Sequence, residues 1–181
     1  MELNLLSKVL WTTFPLLYRF IANRLLTRPR SEAAAASLPP AQPVQDALNE
    51  QIGSELDASL GYLAMASSLS AVSVSLRGAG AMFLASAEEE REHALLLVRW
   101  LAARGGCFVP RDIRPAGAAA AAAAAAPGPG GAWDLLNQAL GVAVAMERQV
   151  TESLLRVHGV ARSCRDVTTA DLISRTMLAE Q

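Results

Sequence analysis

Residues 88–98 read EEEREHALLLV. Four glutamates and a histidine fall within six positions, and an unbroken apolar run follows directly. Such a stretch is either a solvated, charged turn of helix or a set of carboxylates and an imidazole aimed inward at a metal. Its helical phase bears on the choice. Phe83, Ala87, Ala94, Leu97 and Leu101 form one apolar stripe at spacings of three and four. Glu90 falls within that stripe, and His93 sits beside it at the i+3 position. Glu88, Glu89, Arg91 and Glu92 spread over the remaining faces as ordinary solvated surface.

The same oddity recurs elsewhere. Glu55 lies beside Ile52, Leu56 and Ser59, and Tyr62, two turns later, shares its face. Glu147 sits among Leu140, Ala143, Val144, Val150 and Leu154. Three helical segments thus each direct a carboxylate inward, with no lysine or arginine on the same stripes to pair with it. An uncompensated buried carboxylate costs several kcal/mol, and buried glutamate is rare unless paired or metal-bound. Taken singly, each of these glutamates is more often a helix-edge residue reaching water, and Tyr62 a core residue. Taken together, with Glu-x-x-His on one helix and glutamates from others, they match the ligand arrangement of di-iron carboxylate bundles. Oxygen ligands with a single imidazole suit Fe(II) or Mn(II) and argue against zinc thiolate chemistry.

Composition agrees with packed helices. The 181 residues are 52% hydrophobic but only 5% aromatic, with alanine and leucine dominant. That length supports one domain with a core of its own. A formal net charge of −1 sets up no field that would recruit nucleic acid or anionic lipid. No stretch reaches about 18 consecutive apolar residues, so a membrane span is not expected. GxGxxG, P-loop and nucleophile-elbow patterns are absent, and only two histidines occur, which leaves a catalytic triad or a Cys/His zinc site poorly supported. Cys107 and Cys164 lack CxxC spacing and read as reduced thiols.

Residues 1–42 form an N-terminal extension. Lys8, Arg19, Arg24, Arg28 and Arg30 stand against the single acid Glu2, with leucines and aromatics interleaved. This is the composition of a mitochondrial transit peptide. A disordered extension is the equal alternative, and a secretory signal is disfavoured because Pro15 and Arg19 interrupt its apolar core. The regular part runs over 43–181. A first helix is expected from Val44 to about Leu69, with Leu48, Ile52, Leu56, Leu63 and Leu69 inward. A second runs from about Arg77 to Arg104 and stops at Gly105-Gly106. Residues 115–131, alanine-rich and closed by PGPGG, read as a low-complexity insert. Trp133 opens a third helix that fades near Gly159, and a fourth begins near Thr169 or Asp171 and is cut off at Gln181. Gly53, Gly61, Gly78, Gly80 and Gly141 burden helix interiors by about 0.5–1 kcal/mol each relative to alanine.

The blocks QIGSELDASLGYLAM, EEEREHALLLV, ARGG…DIRP and AMERQVTESLLRVH, in that order, resemble the ferritins, specifically their heavy, ferroxidase-bearing subunits. The last block, TTADLISRTMLAEQ, is similar to part of that family's fourth helix. The resemblance implies an all-α, ferritin-like four-helix bundle, its fourth helix incomplete and the family's fifth absent. It implies an iron-storage subunit that oxidises Fe(II) to Fe(III) with dioxygen, two irons per subunit, in a cage built with other ferritin subunits. The family default is cytoplasmic, with a mitochondrial address if the leader is a transit peptide. By the same resemblance, Glu55 and His93 match ligands of the first iron, Glu90 the bridge, and Glu147 with Gln181 the second iron. Tyr62 matches the tyrosine beside the pair, and Glu89 an acid that moves iron towards the mineral. Asp171 matches a carboxylate of the iron-admitting channel, whereas Ser174 replaces a second one. A non-catalytic subunit or fragment that associates with other ferritin chains is the alternative, and a metal-independent helix-bundle interaction protein a third.

Overall fold

The fold follows from three long helices and one short one, seen in a computed structural model that describes residues 39–114 and 131–179. The leader over 1–38, the insert over 115–130 and Gln181 lie outside the described residues. Helix α1 spans Gln42–Ser70, with Pro43 in its first turn, where a missing N–H costs nothing. Its buried stripe includes Val44, Leu48, Ile52, Ala58, Met65 and Leu69, interrupted by the polar residues Gln51, Glu55 and Ser59. Leu56 is half-buried and Leu63 is 46% exposed, so the inner face lies slightly to one side of the one expected from the leucines alone.

A short turn closed by Leu76 N–H donating to Leu69 O (2.9 Å) folds the chain back into α2, Arg77–Ala103. The two helices run antiparallel in close register. Gly80 meets Ser70, the Phe83 ring lies 5.8 Å from Tyr62, and the Ser59 hydroxyl donates to Ala87 O at 2.6 Å. The buried stripe of α2 is Phe83, Ala87, Glu90, Ala94, Leu97 and Leu101, as its periodicity dictates. Past the Arg104 cap, Gly105 takes φ +77°, and the Gly106 N–H returns to Leu101 O at 2.9 Å, the glycine-dependent helix stop the sequence announces.

The segment after α2 lies along α1. The Val109 N–H donates to Asn49 Oδ1 at 2.8 Å, and Arg111 pairs with Asp57 at 2.8 Å and Glu50 at 3.5 Å. Arg111 passes so close to Gly53 that an added Cβ would sit 2.1 Å from its Nε. A Cβ at Gly80 would meet Ser70 and the Ala66 backbone carbonyl, and one at Gly53 would displace the Arg111 guanidinium, whereas Gly78 and Gly141 face open space and remain the burdens the sequence suggests.

Helix α3, Gly131–Ser163, packs on α1 and continues through Gly159. Its buried side chains include Leu135, Ala139, Met146, Val150, Leu154 and Val157. Leu140 and Val144, expected inside, are 41% and 52% exposed. They lie round the helix from the face that α1 covers and border a cavity instead. After Arg165, held at φ +59°, Asp166 caps α4, Val167–Leu172, by accepting from Thr169 N–H at 3.1 Å. The fourth helix thus starts at Val167, two residues before Thr169 and four before Asp171, because the Asp166 side chain satisfies the free amide of Thr169. It passes into a π-helical turn, Ile173–Met177. Arg104 ties this end to α2, donating to Asp166 Oδ2 at 2.5 Å and Thr169 Oγ1 at 2.7 Å, with Trp100 Nε1 also on Thr169 (3.2 Å). The protein is an all-α bundle, and among the described residues no helix is long and apolar enough to cross a membrane.

Two predictions follow from these contacts. Gly141→Ala should raise stability by about 0.5–1 kcal/mol, read as a higher Tm, while Gly80→Ala should lower it because Ser70 and the Ala66 carbonyl oxygen 3.1 Å away must give way. Asp166→Ala removes both an N-cap and the nearly buried partner of Arg104, and should cost about 2–4 kcal/mol in denaturant unfolding.

Candidate metal centre

Placing α2 antiparallel to α1 brings Glu90 opposite Glu55. Glu55 is fully buried and Glu90 is 4% exposed. His93, one turn beyond Glu90, is half-buried, and its Nδ1 lies 3.6 Å from Glu90 Oε2. One ligand atom from each of Glu55, Glu90 and His93 falls within 4.8 Å of the others. Glu88, Glu89, Arg91 and Glu92 are exposed. The opening stretch therefore divides as its helical phase says: two residues inward, four outward.

The local electrostatics are those of a site waiting for positive charge. Glu55 Oε2 and Glu90 Oε2 are buried and meet no hydrogen-bond donor. No arginine or lysine among the described residues pairs with either carboxylate. Burial first, then the charge of the neighbouring Glu90 carboxylate, raise the Glu55 carboxyl far above the usual carboxylate range. Burial alone would raise Glu90 as well, but the neighbouring His93 and Glu55 side chains outweigh it and hold Glu90 low. Without a cation the two carboxyls thus favour holding one proton between them. Two hard oxygen ligands and one imidazole form a donor set suited to Fe(II) or Mn(II).

Tyr62 and Glu147 stand beside this group rather than in it. The Tyr62 hydroxyl donates a short hydrogen bond to Glu147 Oε1, and burial and then that carboxylate push the phenol pKa up, so it stays protonated. Glu147 is half-buried, on the wall of a cavity of about 710 Å³ between α2 and α3. Ser86, Glu89, Glu90, His93, Leu140, Ala143, Val144, Arg148 and Thr151 share that wall. A second cavity of about 710 Å³, bordered by Glu89, Glu92, His93, Leu96, Thr176 and Met177, reaches His93 from the α4 side. Glu89 lines both cavities from the surface. Gln181 lies outside the described residues. Asp171 is exposed and pairs at 3.8 Å with Arg175, and Ser174 donates to its backbone carbonyl at 3.3 Å.

One residue went unremarked in the sequence. Gln51, fully buried one turn before Glu55, donates from Nε2 to Glu55 Oε1 at 2.8 Å. A glutamine on an apolar stripe at i−4 from an inward glutamate is the signal that could have found it.

Because Glu55 titrates higher in the fold than in the unfolded chain, its contribution to stability is present below about pH 4.3 and declines as pH rises through the neutral range. Glu55→Gln should therefore flatten the pH dependence of the chelator-treated protein and raise its stability at pH 8 by about 1–3 kcal/mol. The same substitution should abolish metal uptake, measured by Co(II) titration.

The chain was compared with known proteins. The family described as a ferritin-like domain matches residues 45–181. A ferritin heavy chain from Echinococcus granulosus is 35% identical over 134 residues, covering 74% of this chain and 70% of that protein. A soma ferritin from Lymnaea stagnalis is 34% identical over 134 residues, with the same coverage of 74% and 70%. A chloroplastic ferritin from Malus baccata var. xiaojinensis is 34% identical over 137 residues, covering 76% of this chain but only 52% of that protein. The chain thus spans about half the length of such plant relatives.

Proposed function

The chain belongs to the ferritin family, and on that premise we propose that it is an iron-storage subunit whose Glu55, Glu90 and His93 take up Fe(II) and allow dioxygen to oxidise it. The observation that carries this reading is the pair of buried carboxylates with unpartnered oxygens beside an imidazole, with no arginine or lysine among the described residues paired with them. The fold tolerates that arrangement at a cost of several kcal/mol, which a bound dication removes.

Iron here is substrate. Fe(II) binding displaces the proton of Glu55, so uptake releases acid and strengthens as pH rises. Anionic oxygens in a dry interior favour the higher positive charge, which biases Fe(II) towards Fe(III). Each Fe(II) gives up one electron, and two irons held 3–4 Å apart would together supply the two electrons that dioxygen accepts. In this reading Glu90 would be shared between two such ions, with Glu147 and Gln181 as ligands of the second. Tyr62, by holding Glu147, sets the wall against which that second iron would sit, and Glu89 at the mouth of both cavities draws cations in. Assembly with copies of itself or with other ferritin chains is part of the same proposal. Leu60 and Leu63 on α1, with Val109 and Ile113 after α2, are apolar side chains exposed by 39–62% that such contacts would cover.

A second reading rests on a specific observation. The clustered ligand atoms come from three residues, while Glu147 is engaged by Tyr62. A subunit with one effective iron position would bind iron and associate with partner chains without rapid oxidation. Anaerobic Fe(II) titration of the full chain, followed by an oxygen pulse, separates the two. The ferroxidase reading expects two irons per chain and oxidation at least tenfold faster than in a Glu90→Ala/His93→Ala control. One iron per chain with control-like oxidation would establish the non-catalytic subunit, and binding no tighter than the control would sink both.

A further inference from the structure

Among the core positions of α1, Gln51 is the least expected. It lies on the stripe formed by Leu48, Ile52 and Leu69 and is fully buried. A leucine or methionine there would bury more apolar area and leave no polar atom to satisfy. The glutamine instead uses Nε2 to donate to Glu55 Oε1 at 2.8 Å, while its own Oε1 stays buried with no hydrogen-bond partner. An orphaned amide oxygen of that kind is destabilising. The cost is not repaid elsewhere in the core, since the one hydrogen bond Gln51 makes goes to Glu55.

That bond has a directional consequence. Glu55 has two carboxylate oxygens; Oε1 is occupied by Gln51, and Oε2 meets no donor. The side chain is thereby fixed in one rotation, with Oε2 left for the group of ligand atoms that includes Glu90 and His93. We propose that Gln51 is a positioning residue that holds Glu55 by one oxygen so that it presents the other to the metal as a single-oxygen ligand. This rests on the reading that Glu55, Glu90 and His93 take up a divalent ion. Without the amide donor, Glu55 would be free to rotate or to close both oxygens on one ion, which changes both affinity and coordination geometry. Hydrogen-bonded partners of metal ligands typically matter by 10–100-fold in affinity.

The test uses the full chain and Co(II) alone, a redox-silent probe whose visible absorption reports coordination number. Gln51→Met removes the donor with an unbranched side chain of similar volume, and Gln51→Leu serves as the second variant should the first fail to fold. Metal-free Tm should stay close to that of the parent, because the orphaned Gln51 Oε1 is removed while Glu55 Oε1 loses its donor. Co(II) affinity should fall at least tenfold, with a changed absorption spectrum. A purely structural role predicts the opposite pattern: a lower metal-free Tm with affinity within twofold of the parent and an unchanged spectrum, and that result overturns the proposal. Failure of the parent chain itself to bind Co(II), or binding undiminished in the Glu90→Ala/His93→Ala control, would overturn the metal-site reading and this inference with it. Parent binding with an unchanged Gln51 variant would overturn the positioning role alone.

Discussion

Two carboxylates inside an apolar bundle set the conditions that much of this structure answers. Glu55 and Glu90 are buried almost completely, with no lysine or arginine among the described residues against them. In an interior of low dielectric that arrangement persists only by sharing a proton or by taking a cation. Without a cation, burial raises the Glu55 carboxyl while its neighbours hold Glu90 low, the pattern of two carboxyls that share a proton. His93 and Gln51 are disposed around the same pair, the imidazole 3.6 Å from Glu90 Oε2 and the amide donating to Glu55 from behind. A core built from those positions in leucine would be simpler and more stable. The polar residues make sense as parts of a site.

The scaffold meets that constraint by fixing register. Ser59 on Ala87 O, Tyr62 against Phe83 and Gly80 against Ser70 lock α1 to α2 at the level where Glu55 faces Glu90. A slip of one turn, about 5.4 Å, would separate the two carboxylates beyond any common ion. At the far end, Arg104, Trp100, Asp166 and Thr169 hold the start of α4 against α2. Between α2 and α3 the described residues leave a cavity lined by Leu140, Ala143 and Val144 as well as by Glu90, His93 and Glu147. The Glu55–Glu90–His93 cluster is thus buried on its α1 side and approachable from the α2–α3 side.

The sequence by itself determined the helices and which residues point inward. Period 3.6 placed Glu90 and His93 on the inner side of α2 and the other acids of EEEREH outside, and the structure has them so. Gly105-Gly106 announced the end of α2, because a left-handed stop needs a residue without Cβ. Spacing alone could not say how far round α3 the covered face extends. Leu140 and Val144 look like core by composition yet are exposed, since exposure depends on what packs there. Nor could it distinguish Gly80, where α1 and α2 approach closely, from Gly141, which faces open space. The Gln51–Glu55 pair, at i and i+4 on one helix, was legible in the spacing, whereas tertiary structure alone decided that Glu55 meets Glu90 and that Glu147 is held by Tyr62. Each of the latter two is a contact between groups whose distance is set by helix register and rotamer, and one-dimensional periodicity carries neither.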